Sequence, residues 1–311
     1  ILDFATTAGN DITVDVTGHG AATGTLTIDA SALDDGTGAA AEILTMTGAA
    51  TASLRVTGGA AGDTIVLGTG KDIIDAGAGK DTITAGANQT YEDTIDGGDG
   101  IDTIAATAAV DIDFQNTSNV EVLSATTSAV LANFAQLAGI NTVALVGTAT
   151  LNASGMTSGV TVMAPAATTN AAGSLGDDTF VFQATETLTA ADTINGVSGY
   201  DTIRLDNDDN ADKAGDAVSA TLDASVTNID RVLANDIAST DTAGDVTVIL
   251  DTTFAQKALE IDGSALDLGE VLTVTAGNNA ATEVLTVKGG AGADIIVTGA
   301  AKDVIDGGSA A

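Results

Sequence analysis

Short apolar runs alternate with small or polar residues along most of the chain. In each run Val, Ile or Leu alternates with Thr or another small residue, as in LTIDAS, SLRVTG, TVALVG and LTVTAG. Alternation with a period of two, bounded by Gly, Asn and Asp, predicts short β-strands. Only residues 129–138 (AVLANFAQLA) have the pattern of a short helix. The chain is therefore predicted to be all-β.

A second pattern, with a period of nine, runs from residue 58 to residue 105. Its copies are GGAAGDTIV, LGTGKDIID, AGAGKDTIT and, after an interruption of twelve residues, GGDGIDTIA. These copies fit the template G-G-x-G-x-D-x-U-x, the nonapeptide of calcium-binding parallel β-rolls. Glycine permits tight turns with positive φ, so that backbone carbonyl oxygens are able to face an ion. The aspartate in the sixth place adds the charge that calcium prefers.

The spacing also predicts how the nonapeptides stack. The apolar residue two places after each aspartate should enter the core of a short strand. Those residues are Ile65, Ile74, Ile83 and Ile104. Because two nonapeptides make one coil, Asp63 and Asp81 should stack on one edge and Asp72 on the other. Calcium ions between stacked turns would neutralise them.

Charge supports a cation-binding protein. The 311 residues include 43 acidic and nine basic ones, for a net charge of −34. Such a chain repels itself until cations bind, and its acidity excludes nucleic acid as a partner. With 44% hydrophobic residues it is too apolar for a solvated tail. We therefore expect it to fold once calcium is bound.

The chemistry of enzymes is poorly represented in the sequence. There is no cysteine, and the single histidine, His19, lies in a glycine-rich turn. Neither a nucleophile elbow nor a phosphate-binding loop is present. No apolar run approaches the roughly 18 residues that a membrane span requires. The sequence therefore predicts a protein that is not an enzyme and has no transmembrane segment.

Internal repeats extend beyond the nonapeptides. Residues 257–308 restate residues 25–77, so that Asp63, Asp72 and Asp75 correspond to Asp294, Asp303 and Asp306. A fainter middle copy, GSLGDDTFV, begins at residue 173 and contains Asp178, and the motif DASAL (29–33) recurs as NASGM (152–156) and DGSAL (262–266). Repeats of this kind predict a parallel β-roll or β-helix solenoid built from modules of about 115 residues. An ending within a nonapeptide array suggests an internal piece of a longer protein.

The predicted segments follow the repeats. They are 1–57, solenoid strands; 58–105, a calcium-binding β-roll; 106–172, a calcium-poor β-helix; 173–205, a degenerate β-roll; 206–288, solenoid restating the first segment; and 289–311, the start of a second array.

Two regions are weaker candidates for metal binding. In the degenerate segment Asp192 and Asp201 keep the spacing of nine residues. Residues 206–212 begin like an EF-hand loop, with oxygens at Asp206, Asp208 and Asn210. Alanine occupies the position of that loop's glycine, so a solvated acidic loop is the alternative interpretation.

The nonapeptides resemble the repeats-in-toxin (RTX) family. The Ala/Thr/Gly/Val-rich strands, the DASAL and DGSAL motifs and the run LTVT…LTVKGGAGAD are similar to surface-layer (S-layer) proteins of Gram-negative bacteria such as Caulobacter. This resemblance implies type I secretion, folding outside the cell in calcium, and assembly into a lattice at the cell surface.

By matched position, the resemblance also implies a set of calcium ligands. The carboxylates would be Asp63, Asp72, Asp81, Asp102, Asp294 and Asp303. Backbone oxygens would come from Gly59, Gly68, Gly70, Gly77, Gly79, Gly98, Gly100, Gly290 and Gly292. Weaker candidates are Asp75, Asp93, Asp99, Asp178, Asp192, Asp201, Asp206, Asp208, Asn210 and Asp306.

Three functions are compatible with the sequence. The first is a structural protein that assembles with itself into a surface layer or filament, with cell-surface polysaccharide as a partner for another part of the chain. The second is the calcium-rigidified stalk of a giant RTX adhesin. The third is the RTX secretion module of a secreted enzyme. In each case the protein would be extracellular.

Overall fold

The structure is a computed structural model in which the chain forms two compact units, Ile1–Ala144 and Leu145–Ala311. Each unit is a parallel β-solenoid, which confirms the predicted all-β fold class. Within the described residues no helix is long and apolar enough to cross a membrane. The structure describes residues 2–3, 11–17, 25–33, 42–47, 51–165, 167–183, 186–207, 217–236, 244–256, 258–276 and 284–309.

In the first unit, successive strands alternate between two parallel ladders, so that one coil contributes a strand to each. Ladder 1 contains Leu2–Asp3, Leu26–Asp29, Leu54–Thr57, Ile73–Asp75, Thr94–Asp96 and Thr117–Ser118. Ladder 2 contains Ile12–Asp15, Leu44–Thr47, Thr64–Val66, Thr82–Gly86, Thr103–Val110 and Val122–Val130. Two short strands in the turns, Ala78–Gly79 and Asp99–Gly100, also pair.

The core of this unit is a set of in-register apolar columns. Ile65 lies opposite Ile83, and Ile83 lies opposite Ile104. Ile74 and Ile95 lie opposite each other in a second column, on ladder 1. All five side chains are buried, which confirms that the residue two places after each aspartate enters the core. Each buried isoleucine contributes about 1.5–3 kcal/mol of hydrophobic stabilisation.

The predicted helix is present but shorter than the pattern indicated. It covers Asn133–Ala138, while residues 129 and 130 belong to the strand Val122–Val130. Asp111, at the start of the 3-10 turn Asp111–Phe114, accepts hydrogen bonds from the backbone N–H groups of Ala132 and Ala135. A carboxylate from the preceding coil therefore caps the helix. Helix formation at this position depends on a tertiary contact.

The second unit is built from three parallel ladders. Ladder 3 contains Thr150–Asn152, Asn170–Ala172, Thr193–Asn195 and Val226–Thr227. Ladder 4 contains Thr161–Met163, Thr179–Gln183, Thr202–Asn207, Arg231–Asp236, Ala258–Asp262, Val284–Lys288 and Val304–Asp306. Ladder 5 contains Val218–Leu222, Val246–Leu250, Leu272–Thr275 and Ile295–Val297. One further strand, Thr142–Leu145, crosses the boundary between the units in sequence.

The repeated DASAL-type motif has one structure in all three places. A side-chain oxygen at its first residue accepts hydrogen bonds from both the backbone N–H and the hydroxyl of the serine two places on. The pairs are Asp29 with Ser31, Asn152 with Ser154 and Asp262 with Ser264. The apolar residue that ends each copy is buried. The motif is therefore a turn that ends one strand and anchors the next in the core. The predicted module length of about 115 residues and the predicted segment boundaries stay predictions.

Candidate metal centre

The sixth-place aspartates of the first array are buried inside the stack of coils. Their exposed fractions are 1% for Asp63, 0% for Asp72, 0% for Asp81 and 0% for Asp102. A buried carboxylate is costly unless hydrogen bonds or ions replace its hydration. The partners of these oxygens therefore decide what each aspartate does.

One oxygen of each aspartate bridges to the preceding coil. On one edge, Oδ1 of Asp63 accepts the N–H of Leu44 at 2.7 Å, Oδ1 of Asp81 accepts the N–H of Asp63 at 2.6 Å, and Oδ1 of Asp102 accepts the N–H of Asp81 at 2.8 Å. This is the stacking of Asp63 and Asp81 that the spacing predicts. We call this series the carboxylate ladder.

The opposite edge has the same arrangement. Oδ1 of Asp72 accepts the N–H of Leu54 at 2.7 Å, and Oδ1 of Asp93 accepts the N–H of Asp72 at 2.8 Å. Asp93 lies within the twelve-residue interruption of the sequence pattern, yet it occupies a sixth place. Residues 88–92, which precede it and include the three extra residues, lie on this edge, with Tyr91 exposed and Gln89 buried.

The second oxygen divides the aspartates into two classes. In capped aspartates, Oδ2 accepts an N–H from the same turn, as in Asp63 from Gly59 at 2.7 Å and Asp72 from Gly68 at 2.8 Å. The capped aspartates are Asp63, Asp72, Asp93, Asp178, Asp192 and Asp294. Both oxygens of a capped aspartate are thus engaged by backbone donors.

In open aspartates, Oδ2 is buried and has no hydrogen-bond partner within the described part of the chain. The open aspartates are Asp81, Asp102, Asp201 and Asp303. Their Oδ1 atoms still bridge to the preceding coil. A buried carboxylate oxygen without a donor costs free energy unless an unseen group satisfies it.

The backbone of the turn accounts for the free oxygen at Asp81 and Asp102, whereas Asp303 is open although neither Gly299 nor Ala301 has positive φ. Before Asp81 the φ angles are +101° at Gly77 and +129° at Gly79, and before Asp102 they are +91° at Gly98 and +146° at Gly100. The second-place N–H then points away from the aspartate. That of Gly98, for example, donates to Oδ1 of Asp96 at 3.2 Å. Turns with positive φ at the second and fourth places therefore leave one carboxylate oxygen free.

These turns require glycine because they stack closely. A Cβ atom at Gly98 would lie 1.8 Å from the carbonyl oxygen of Gly77, and a Cβ atom at Gly100 would lie 1.6 Å from the carbonyl oxygen of Gly79. No side chain fits at either distance. The turns Ala76–Asp81 and Gly97–Asp102 therefore form a glycine-walled layer with an open aspartate in each turn.

Electrostatics oppose ionisation in this layer. Burial, with a smaller contribution from the neighbouring charges of Asp102 and Asp63, raises the pKa of Asp81 to about 7. Burial is also the main cause that raises the pKa of Asp102, with contributions from Glu121 and Asp96. A bound cation would remove both the desolvation cost and the repulsion.

The oxygen atoms available in the layer are of the kind that calcium binds. Calcium takes 6–8 oxygen ligands, with backbone carbonyls among them. The layer offers unpaired carboxylate oxygens beside glycine carbonyls. Within the described ranges, no group of three or more His, Cys, Asp or Glu side chains is arranged to hold a metal. Backbone carbonyls and water are therefore the further ligands available to an ion bound there.

The glycines predicted to supply carbonyl oxygens lie in three settings. Gly77, Gly79, Gly98 and Gly100 have positive φ and belong to the open turns. Gly59, Gly68 and Gly290 donate their N–H groups to capped aspartates. Gly70 and Gly292 lie against the backbones of Ser53 and Glu270. Their role as ligands stays a prediction at all nine positions.

The weaker candidates also differ in setting. Asp75, Asp99 and Asp306 are exposed. Asp206 is buried, and both of its oxygens accept hydrogen bonds from the guanidinium of Arg204, at 2.7 and 2.8 Å. This ion pair already occupies the first position of the predicted EF-hand-like loop. Its other candidate ligands, Asp208 and Asn210, and also His19, lie outside the described residues.

Sequence reasoning missed two acidic residues of the neighbouring coils. Oε2 of Glu121 accepts the N–H of Asp102 at 2.9 Å, and Oδ2 of Asp230 accepts the N–H of Asp201 at 2.9 Å. Each therefore sits next to an open aspartate. The signal was present in the sequence as the related segments NVEVL (119–123) and NIDRVL (228–233).

Comparison with known protein families agrees with this geometry. A family model described as RTX calcium-binding nonapeptide repeat (four copies) matches residues 57–92, 88–112 and 286–311. The chain therefore carries RTX calcium-binding nonapeptide repeats, and the matched residues include the layer of Ala76–Asp81 and Gly97–Asp102. No curated protein and no solved structure is significantly similar to the chain.

Proposed function

We propose that the chain is a structural segment of a secreted bacterial surface protein that assembles with itself into a surface layer or filament when calcium is present. The observation that carries the proposal is the layer of stacked glycine turns, in which Asp81 and Asp102 each keep a buried, unpaired carboxylate oxygen. Calcium would satisfy these oxygens and couple neighbouring coils.

Coupling of folding to calcium suits export. A net charge of −34 opposes compaction where calcium is scarce. Outside the cell, binding of calcium to the folded state alone would supply free energy of folding. The protein would then be threaded out unfolded by a type I machine and fold where it functions.

Repetition favours a structural role over catalysis. The restated segment 257–308 and the three DASAL-type turns repeat one architecture. Side-chain chemistry varies little between the copies. Repeated coils that contact mainly their neighbours are suited to long assemblies. We therefore expect no enzymatic activity from this segment.

Electron microscopy of negatively stained protein tests the proposal. The purified chain is imaged in millimolar calcium and again after excess chelator. Ordered sheets or filaments that form in calcium and disperse in chelator are the expected result. Dispersed single particles in both conditions would contradict self-assembly and would favour an adhesin stalk or a secretion module.

A matched variant separates assembly from general charge effects. Asp102→Asn removes one carboxylate from the layer, whereas Asp99→Asn removes one from an exposed position of the same turn. Both change net charge equally. We expect Asp102→Asn to raise the calcium concentration needed for assembly and Asp99→Asn to leave it nearly unchanged.

A further inference from the structure

The second unit repeats the geometry beside Asp102 at a place that the family model does not match. The turn Gly196–Asp201 has φ of +73° at its second place, Val197, and +125° at its fourth, Gly199. These values parallel those of Gly98 and Gly100. As in the first unit, the aspartate that ends the turn is open, because Oδ2 of Asp201 has no partner among the described residues. Asp201 is 1% exposed.

The next coil is also equivalent. In the first unit, Asn119 has φ +52°, and its side-chain amide reaches back to Asp96 at 2.7 Å. In the second, Asn228 has φ +53°, and its side-chain amide reaches back to Asn195 at 2.8 Å. Asp230 corresponds to Glu121: Asp230 accepts the N–H of Asp201, as Glu121 accepts the N–H of Asp102.

A valine in this turn marks it as a constrained position. Positive φ is strained for a β-branched residue, since its side chain clashes with its own backbone. Val197 nevertheless holds φ +73° where the first unit has glycine. Its N–H donates to Oδ1 of Asn195 at 2.9 Å rather than to Asp201. The open conformation is therefore kept even without the residue that favours it.

The two places differ in what covers them. In the first unit, the helix Asn133–Ala138 closes over the coil, and the carbonyl of Ala138 accepts the N–H of Val120. In the second unit, the equivalent N–H group belongs to Ile229, and it donates to Oε1 of Gln256 at 3.1 Å. A groove of about 700 Å³ remains in place of the helix.

Two residues that carry unpartnered polar atoms, Asp201 and Gln256, line this groove. Its lining includes Val197, Asp201, Asn228, Asp230 and Gln256. The Nε2 atom of Gln256 is buried and, like Oδ2 of Asp201, has no hydrogen-bond partner within the part of the chain that the structure describes. Water bound to an ion at Asp201 could accept from this amide.

We propose that Asp201, Asp230 and the backbone of the turn Gly196–Asp201 form a further calcium site, which is open to solvent on the side of the groove. Calcium would be held by the free oxygen of Asp201, by Asp230 and by turn carbonyls. Water would fill the positions that face Gln256. The inference rests on the proposed calcium-dependent role for the choice of ion, but its location rests on the geometry alone.

Terbium luminescence reports this site selectively. Tb³⁺ replaces calcium at oxygen sites, and its emission is sensitised by nearby tyrosine. The chain has only two tyrosines and no tryptophan. Tyr200 immediately precedes Asp201, and its ring lies 5.9 Å from the guanidinium carbon of Arg231, the residue after Asp230. We expect Tyr200→Phe to remove a large part of the sensitised emission while calorimetry shows an unchanged number of calcium ions.

Further variants separate this site from the first unit. Asp201→Asn should remove the same emission and reduce the calcium stoichiometry by one ion, whereas Asp102→Asn should keep the Tyr200-dependent emission. If Asp201→Asn fails to fold, Tyr200→Phe still decides the question. Equal sensitised emission from the native protein and from Tyr200→Phe would overturn the proposal, whether or not calcium displaces the bound Tb³⁺.

Lifetimes in H₂O and D₂O test the open face. The Tyr200-dependent emission should report more coordinated water than the emission that survives in Tyr200→Phe. Equal hydration would overturn the solvent-open character of the site. Tyr200-dependent emission without calcium-dependent sheets in the microscope would keep the site and reject the proposed assembly function, so the two failures are distinguishable.

Discussion

The capped turn Leu67–Asp72 and the open turn Ala76–Asp81 follow one another in sequence and share the pattern xGxGKD, yet their aspartates have different partners. Asp72 uses both oxygens to hold backbone N–H groups, whereas Asp81 keeps one oxygen unpaired. We propose that Asp72 stabilises its turn without an ion and that Asp81 binds one. A single nonapeptide pattern therefore encodes two structural roles.

Removal of calcium should have the largest effect, because it acts on all open aspartates together. In excess chelator we expect the β signal in circular dichroism to collapse and to return when calcium is restored. Magnesium serves as the control, since it prefers a smaller octahedral shell and should not restore the signal. Full retention of β structure in chelator would reject calcium-dependent folding.

Asp72→Asn tests the capped class. The carboxylate of Asp72 accepts the N–H groups of Leu54 and Gly68. In asparagine, the NH₂ group would face one of these N–H groups, so that two donors would oppose each other. We expect the free energy of unfolding to fall by about 2–4 kcal/mol in calcium. The number of bound ions, measured by calorimetry, should not change. Loss of an ion would instead place Asp72 among the ligands.

Asp102→Asn tests the open class and should have the opposite signature. The asparagine oxygen would keep the hydrogen bond from the N–H of Asp81, and the amide would replace the unpaired oxygen near Gly97. Calcium affinity should fall by about tenfold or more, which is about 1.4 kcal/mol or more. Stability without calcium should rise, because one buried charge is gone. Equal stability loss with and without calcium would erase the distinction between the classes.

Calcium should remove the dependence of stability on pH. The folded-state pKa values of Asp81, about 7, and Asp72, about 6, both lie above the ordinary value of 3.8. The folded state thus holds protons that the unfolded state has lost, so stability without calcium should fall as pH rises from about 4 to about 7. Saturating calcium holds these carboxylates ionised in the folded state, and the unfolded state has also lost its protons above about pH 5, so stability should then change little over most of this range. Urea midpoints across this range check both slopes, and parallel slopes would contradict the prediction.

Ser264→Ala should have the smallest effect. It removes the hydroxyl that donates to Asp262 at 2.6 Å in a surface turn, at a cost of about 0.5–1 kcal/mol. Ser154→Ala is the matched replicate, because its hydroxyl makes the same bond to Asn152. Both losses should be independent of calcium. A calcium-dependent loss would link these turns to the metal sites.

The sequence predicted the fold more completely than the site. Strand periodicity and the nine-residue spacing were sufficient to place Ile65, Ile83 and Ile104 in one buried column, since both depend on local pattern. The helix was predicted too long because strand pairing extends through residue 130. Periodicity alone does not show that pairing.

The local sequence pattern could not predict which aspartates are capped and which are open. The turns LGTGKD and AGAGKD are nearly identical in sequence. What distinguishes them is the neighbour, because Ala78–Gly79 pairs with Asp99–Gly100 of the next coil. An insertion of three residues before Asp93 breaks the glycine pattern that would form such a pair for the preceding turn. The partner coil, rather than the turn's own sequence, selects the conformation.

The carboxylate ladder has a direction. From Leu44 through Asp63 and Asp81 to Asp102, every backbone N–H finds its acceptor in a residue that comes later in the chain. Along this edge, the backbone N–H of each ladder aspartate therefore depends on a carboxylate of the following coil. Loss of a late carboxylate, such as that of Asp102, should therefore weaken the earlier hydrogen bonds of the ladder in turn. Loss of an early carboxylate, such as that of Asp63, leaves the later acceptors in place.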